Sequence, residues 1–174
     1  YFTGGNHHNL RLYVRPDDQK VLAMPWDWDS SYFNAPTAAL VPANANLAKI
    51  VNLPNNQRPY YGHLYEIIRT TFNSAYLNRW AQHYGALAEQ DFTGILNYIQ
   101  ARANFVMSQL PTNTAFSITS NGGNNFNTGT NVVTLSGTAR IQVKTNDING
   151  APYTLRWTTL TAWTLRLVLD EPTN

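Results

Sequence analysis

The sequence predicts an α+β protein in two parts, a β-hairpin with a helical lobe followed by a small all-β sandwich, and three observations carry that reading. Two short apolar runs, LRLYV (Leu10 to Val14) and VLAMPW (Val21 to Trp26), flank RPDDQK, whose Pro and Asp residues form turns. Apolar residues then recur with a helical period as far as Leu110. After PTNT, Pro111 to Thr114, Gly, Asn and Thr replace Leu and Ala, and the apolar period falls to two. The expected division is therefore residues 1–110, a linker at 111–114, and a β-sandwich at 115–174 that is expected to be incomplete.

Each element has its own signal. The hairpin follows from the two runs, and Pro25, which cannot donate to a ladder, marks the end of the second strand or an edge. From Asn34 to Asn56 only NLAKIVN suits a short helix. Beyond Pro59, Leu64, Ile67, Ile68 and Phe72 form one stripe, Leu77, Trp80, Ala81 and Tyr84 a second, and Phe92 through Leu110 a third. Asp91 starts the third helix and Pro111 stops it. The three greasy faces are expected to pack together against the hairpin. In the last part Val133 and Leu135, Ile141 and Val143, Tyr153 to Trp157, and Trp163 to Leu169 alternate as strands, with a hairpin signal at Asn149-Gly150. Short strands at this spacing, without helices, indicate a sandwich.

Composition narrows the function. A chain of 174 residues can bury a core without staples. With no cysteine there is neither a disulfide nor a thiolate site, and that leaves the compartment open. A net charge of +2, with the 12 Lys and Arg scattered, does not predict nucleic acid as a partner. No apolar run approaches the ~20 residues of a membrane span. Few charges (13%), as many aromatics (13%) and Asn-rich loops lean towards a secreted or envelope protein. The opening YFTGGNHHN, with no initiator Met, reads as the interior of a longer protein.

The chemistry concentrates in PWDWD. Asp27 and Asp29, one residue apart on an extended segment, point the same way and suit a hard cation such as Mg²⁺ bridging phosphates. The bland reading has them capping loop amides or pairing with Arg11 and Arg15. A hairpin of this length returns the chain from Asn9 to the neighbourhood of Asp27, offering one amide oxygen and one carboxylate to a single ion. Adjacent His7 and His8 point apart on a strand, so they read as loop histidines rather than metal ligands. Tyr60, Tyr61, His63 and Tyr65 cluster before a helix, where packing is favoured over a substrate groove. Arg58 suits either a phosphate contact or a surface pair. Trp157 and Trp163 are placed in packing faces rather than on sugar rings.

HHNLRLYVRPDDQKVLAMPWDWDSSYF resembles the core of the CotH kinase family, named for spore coat protein H, in which histidine-asparagine, an aromatic strand, a turn and PWDxD occur in order. LAKIVNLPNNQRPYYGHLYEIIRTTFNSAYLNRW continues in the same manner, so the resemblance spans residues 1–110. It implies an atypical protein kinase that transfers phosphate from ATP, with Mg²⁺ or Mn²⁺, to serine in a protein substrate. Asp27 matches the family's metal-binding aspartate and Asn9 its metal-proximal asparagine; Asp29 and His8 match motif positions near the metal and nucleotide. The catalytic residue is unknown: the family's base aspartate precedes the HN, yet Tyr1 to Asn6 holds none, so it is expected upstream of Tyr1 or lost. Lys20, in a turn, and Lys49, in a short helix, do not replace the nucleotide-clamping lysine of the other lobe. Without the rest of the parent chain, phosphate positioning is missing and this piece is expected to be inactive alone.

The β region, in VVTLSGTA and INGAPYTLRWT, resembles the immunoglobulin-like modules that follow CotH domains in large bacterial surface proteins, which implies spacing or attachment at a secreted or cell-surface location. The main alternative is a non-catalytic surface or adhesion protein with a degenerate kinase-like domain. A metal-dependent hydrolase using Asp27 and Asp29 has less support, because no third ligand stands at a suitable spacing.

Overall fold

A computed structural model describes residues 10–25, 32, 34–41 and 46–169. The chain is α+β. β1 (Leu10–Val14) and β2 (Val21–Pro25) form the expected antiparallel hairpin, with Val14 opposite Val21 and Leu10 opposite Pro25. Among the described residues four helices follow: α1 (Asn46–Val51), α2 (Pro54–Thr70), α3 (Ser74–Ala88) and α4 (Thr93–Gln109). The remaining strands are β3 (Ser117–Ile118), β4 (Val132–Thr138), β5 (Asn146–Ile148), β6 (Ala151–Tyr153), β7 (Arg156–Trp157) and β8 (Ala162–Val168). They make a four-stranded antiparallel sheet in the order β3-β4-β8-β7 and a separate β5-β6 ribbon.

Local chemistry explains the boundaries. Asn73 caps α3 by accepting the Tyr76 N–H at 2.8 Å, and the Asp91 carboxylate accepts the Thr93 N–H at 2.8 Å where α4 begins. The Thr93 side chain, and after it this N–H, hold the Asp91 carboxyl below its usual value. Asn149 and Gly150 both take positive φ, 52° and 81°, which the two-residue turn joining β5 to β6 requires.

The described residues divide into two compact units, those of Tyr1–Asn52 with Thr71–Phe105 and those of Leu53–Thr70 with Val106–Asn174. The sequence-based division at 110–114 groups α2 with the other helices; by contact, α2 falls in the same unit as strands β3 to β8. In the first unit Ala48, Val51, Ile99 and Ala103 are buried, and Arg102 of α4 donates to the carbonyls of Pro36 and Ala38. Among the described residues of the hairpin, Leu12, Tyr13, Val14, Val21, Leu22 and Met24 are exposed, from both faces of the ribbon, where the sequence predicts helices packed against it. On α3 the packed face is Leu77, Ala81 and Gly85, whereas Trp80 and Tyr84, expected in that stripe, stack on each other at 6.2 Å and stay exposed. In the second unit Ala139, Leu155, Trp163 and Leu165 form the core, with Leu135, Val143, Ile148, Tyr153 and Trp157 packed against it.

Two further departures concern the start of α2 and the segment after β4. α2 starts at Pro54, five residues before the second proline, Pro59, so Arg58 lies on a helix rather than ahead of one. Proline suits a first helical position, and Pro59, in the second turn, forfeits one N–H to the carbonyl four residues back and crowds that carbonyl with its ring. Ile141 and Val143, expected on a strand, lie in a turn (140–143) instead. The Ile141 N–H donates to the Pro111 carbonyl at 3.0 Å, and the turn's own carbonyls face Arg58.

Candidate functional site

The hairpin ends are the first candidate. Asn9, His7, His8, Asp27 and Asp29 lie outside the described residues; of the residues the sequence assigns to metal and phosphate, Arg58 is described. The hairpin register is fixed as far as Leu10 opposite Pro25, and in sequence Asn9 comes one residue before the first and Asp27 two after the second. Among the described residues no three His, Asp or Glu side chains cluster.

The opposite end of the hairpin is closed by its own charges. The Gln19 N–H donates to the Arg15 carbonyl at 2.9 Å, with Gln19 at φ 57°. The Arg15 Nε–H donates to Asp18 at 2.8 Å, the Lys20 N–H does so at 3.1 Å, and the Lys20 ammonium lies 3.3 Å from the same carboxylate. Arg15 and Lys20 are thus engaged inside the turn. The Arg15 hydrogen bond brings the Asp18 carboxyl down to about 2, from 3.8. A carboxyl lowered on folding stabilises the fold above its unfolded value and loses that contribution as pH falls through its folded value. The Asp18 carboxyl carbon is accordingly expected to titrate in NMR near pH 2; a midpoint at the ordinary aspartate value would show that the turn pairing is not formed in solution.

Arg58 is the second candidate, and its surroundings are unlike those expected. It is 5% exposed. Its guanidinium donates to the carbonyls of Leu160, Arg140 (2.8 Å), Val143 (2.7 Å) and, more weakly, Ile141 (3.4 Å). The guanidinium carbon also sits 3.2 Å from the centroid of the Trp157 ring, a close cation–π stack. No carboxylate pairs with it among the described residues. Burial of this charge brings its pKa down to about 10. A planar fork with five N–H donors is the one side chain that can serve several carbonyls at once and stack on an indole. Arg58 therefore ties α2 to the β-rich unit. Buried, with both terminal nitrogens on carbonyls and no carboxylate beside it among the described residues, it is not a surface pair.

Beside Arg58, α2 and residues 141–144 border an open cleft of about 330 Å³. Trp157 and Tyr65 line it, Gly62 leaves a gap in its helical wall, and Lys144 and Glu66 stand paired along it. His63 lies 3.5 Å from Glu66 on the same helix. Lys144, and His63 to a lesser degree, hold the Glu66 carboxyl below its usual value. Two of the four aromatic-cluster residues, His63 and Tyr65, thus border a cleft, while Tyr60 and Tyr61 pack edge to face at 5.4 Å. Sequence reading missed Gly62, Lys144 and the use of Trp157, because these come together only across roughly a hundred residues of chain. The one available signal was a glycine in the middle of a helical period, which is a sign of a packing or functional reason.

Comparison with protein-family models, with curated proteins and with solved structures gives no match for this chain.

Proposed function

We propose that residues 1–110 are part of a CotH-like atypical protein kinase, whose reaction is transfer of phosphate from Mg-ATP to a serine hydroxyl of a protein. Residues 115–174 are an immunoglobulin-like module that spaces or attaches it in a secreted or surface-exposed bacterial protein. The observation that supports this most directly is the hairpin itself: an antiparallel ribbon ending in the pair Leu10 and Pro25, immediately beside the HN and WDWD strings. Asn9 and Asp27 would hold the divalent ion, with Asp29 and His8 nearby. An amide oxygen and a carboxylate are the hard donors that Mg²⁺ or Mn²⁺ takes. The ion, when bound with ATP, neutralises charge on the phosphates. Arg58 is left out of the nucleotide site, since its donors serve carbonyls of the β-rich unit.

In the longer parent protein, Asp27→Ala is expected to weaken Mg-ATP binding at least about tenfold by calorimetry, a loss of ~1.4 kcal/mol. Unchanged affinity would sink the metal assignment. The 174-residue chain alone is expected to show no turnover. The alternative, a non-catalytic surface protein with a degenerate kinase-like part, gains from one observation: α2, which the resemblance assigns to the kinase-like part, is tied by Arg58 into the β-rich unit. That reading predicts no Mg-ATP binding by the parent protein with Asp27 intact.

A further inference from the structure

We propose that the cleft between α2 and residues 141–144 binds a small, flat, largely apolar monoanion of the aryl carboxylate class. The cleft belongs to the second unit alone, so binding there is independent of whether the first unit is a kinase.

Space comes first. About 330 Å³ is at the lower end of small-molecule sites and accommodates one ring with a short acidic group. That space is maintained at a cost. Gly62 sits in the interior of the 17-residue α2, where glycine is among the poorest helix formers, and a Cβ built there meets nothing within 4 Å. An alanine would suit the helix better. The glycine removes a side chain from the wall that faces the cleft, which leaves room for a ligand to approach the backbone.

The walls and the charge then select the occupant. Trp157, Tyr65 and Pro59 offer flat, mostly apolar surface. Arg58 and Lys144 are cationic and Glu66 is anionic, and Glu66 is already paired with Lys144. The lining thus carries one excess positive charge, that of Arg58, whose partners are neutral carbonyls and an indole ring. A charge in a partly desolvated place is screened less than one in water, so an anion in the cleft feels it strongly. Because both terminal nitrogens of the guanidinium already serve backbone carbonyls, the anion is held by this field and by the Lys144 ammonium, not by a bidentate pair with those two nitrogens. That favours one negative charge on an apolar body. A doubly charged phosphate would give up more hydration than these walls return.

The test uses benzoate as probe, with benzyl alcohol and benzylamine as neutral and cationic counterparts, titrated into the whole chain and followed by amide and indole N–H NMR shifts. Saturable shifts at Gly62, Lys144 and Trp157 with benzoate are expected, with benzyl alcohol at least about tenfold weaker and benzylamine weaker still. Gly62→Leu is expected to abolish the benzoate shifts while leaving the thermal midpoint equal or higher, since leucine is the better helix former. Lys144→Gln, at an exposed position, is expected to weaken benzoate severalfold at an unchanged midpoint. The proposal is overturned by the absence of saturable shifts at these residues up to ~10 mM benzoate, a concentration at which even a weak site fills. Equal binding of the three probes, or of benzoate to Lys144→Gln, overturns the charge selection, and undiminished binding to folded Gly62→Leu overturns the location. Should Gly62→Leu lose its fold, Gly62→Ala, which adds one methyl into open space, takes its place with a partial loss of affinity as the expected result.

Discussion

Gly137→Ala is expected to destabilise the β-rich unit by about 3 kcal/mol or more, at the upper end of what overpacking costs. Gly137 lies in β4, the strand between β3 and β8, directly opposite Ile118 on one side and Trp163 on the other. Trp163 is 1% exposed, and its indole lies across the glycine where a side chain would otherwise stand. A Cβ at 137 would come closer than 3.0 Å to the Trp163 ring atoms Cζ2 and Cε2 and to the Ser117 carbonyl oxygen. None of these can retreat. The carbonyl is backbone, and the indole is stacked on Phe116 at 5.8 Å and packed into the core formed with Ala139, Leu155 and Leu165. Urea unfolding followed by Trp emission measures the effect. Gly94→Ala is the control: its Cβ meets nothing within 4 Å in the first turn of α4, and a gain of up to about 1 kcal/mol is expected there. If Gly137→Ala proved as stable as the parent, the close approach of indole to backbone would not exist in solution.

Arg58→Met has an expected cost of about 3 to 5 kcal/mol: three part-buried carbonyls left without a donor cost about 1 to 3 kcal/mol each, and the loss of the buried charge itself offsets part of that. The carbonyls of Leu160, Arg140 and Val143 lose their donor together, and Trp157 loses the cation stacked on its face. Arg58→Lys is expected to recover little of this loss. An ammonium is a compact donor that cannot span three separated carbonyls or lie flat on an indole. Denaturant midpoints give the stability, and near-ultraviolet circular dichroism reports the indole environment. Midpoints within experimental error of the parent for both variants would mean that α2 is not held to the β-rich unit by this residue.

The two substitutions differ in how visible they were beforehand. Gly137 stands in VVTLSGTA, an alternating apolar run, and a glycine inside a strand pattern marks a bulge or a close backbone approach. The approaching group, Trp163, is far along the chain, and its register against Gly137 is set only by the pairing of β4 with β8. Arg58 offered even less. A lone arginine before a proline is compatible with phosphate, carboxylate or solvent, and its actual partners lie 82 to 102 residues away. Ile141 and Val143 alternate as a strand would, yet their carbonyls serve the guanidinium instead of a ladder. Trp80 and Tyr84 fit a helical stripe by spacing, but spacing cannot say which stripe faces the core. The small residues Ala81 and Gly85 lie on the packed side, with Gly85 against the Gln90 backbone and the Phe92 ring.

By itself the amino-acid order determined what neighbours in the chain enforce on each other: the hairpin around RPDDQK, the Asn-Gly turn at 149–150, the helix start beside Asp91 and the helix stop before Pro111. These depend on backbone preference, a missing N–H or a side chain reaching two residues along, all of which act over a few residues. Only the tertiary structure decided that α2 joins the β strands, that residues 140–143 turn, that Arg58 is buried and that a cleft opens at Gly62. The reason is that a buried cation must find several acceptors at once, and which carbonyls can converge on it is a property of the folded arrangement, not of any short stretch of chain.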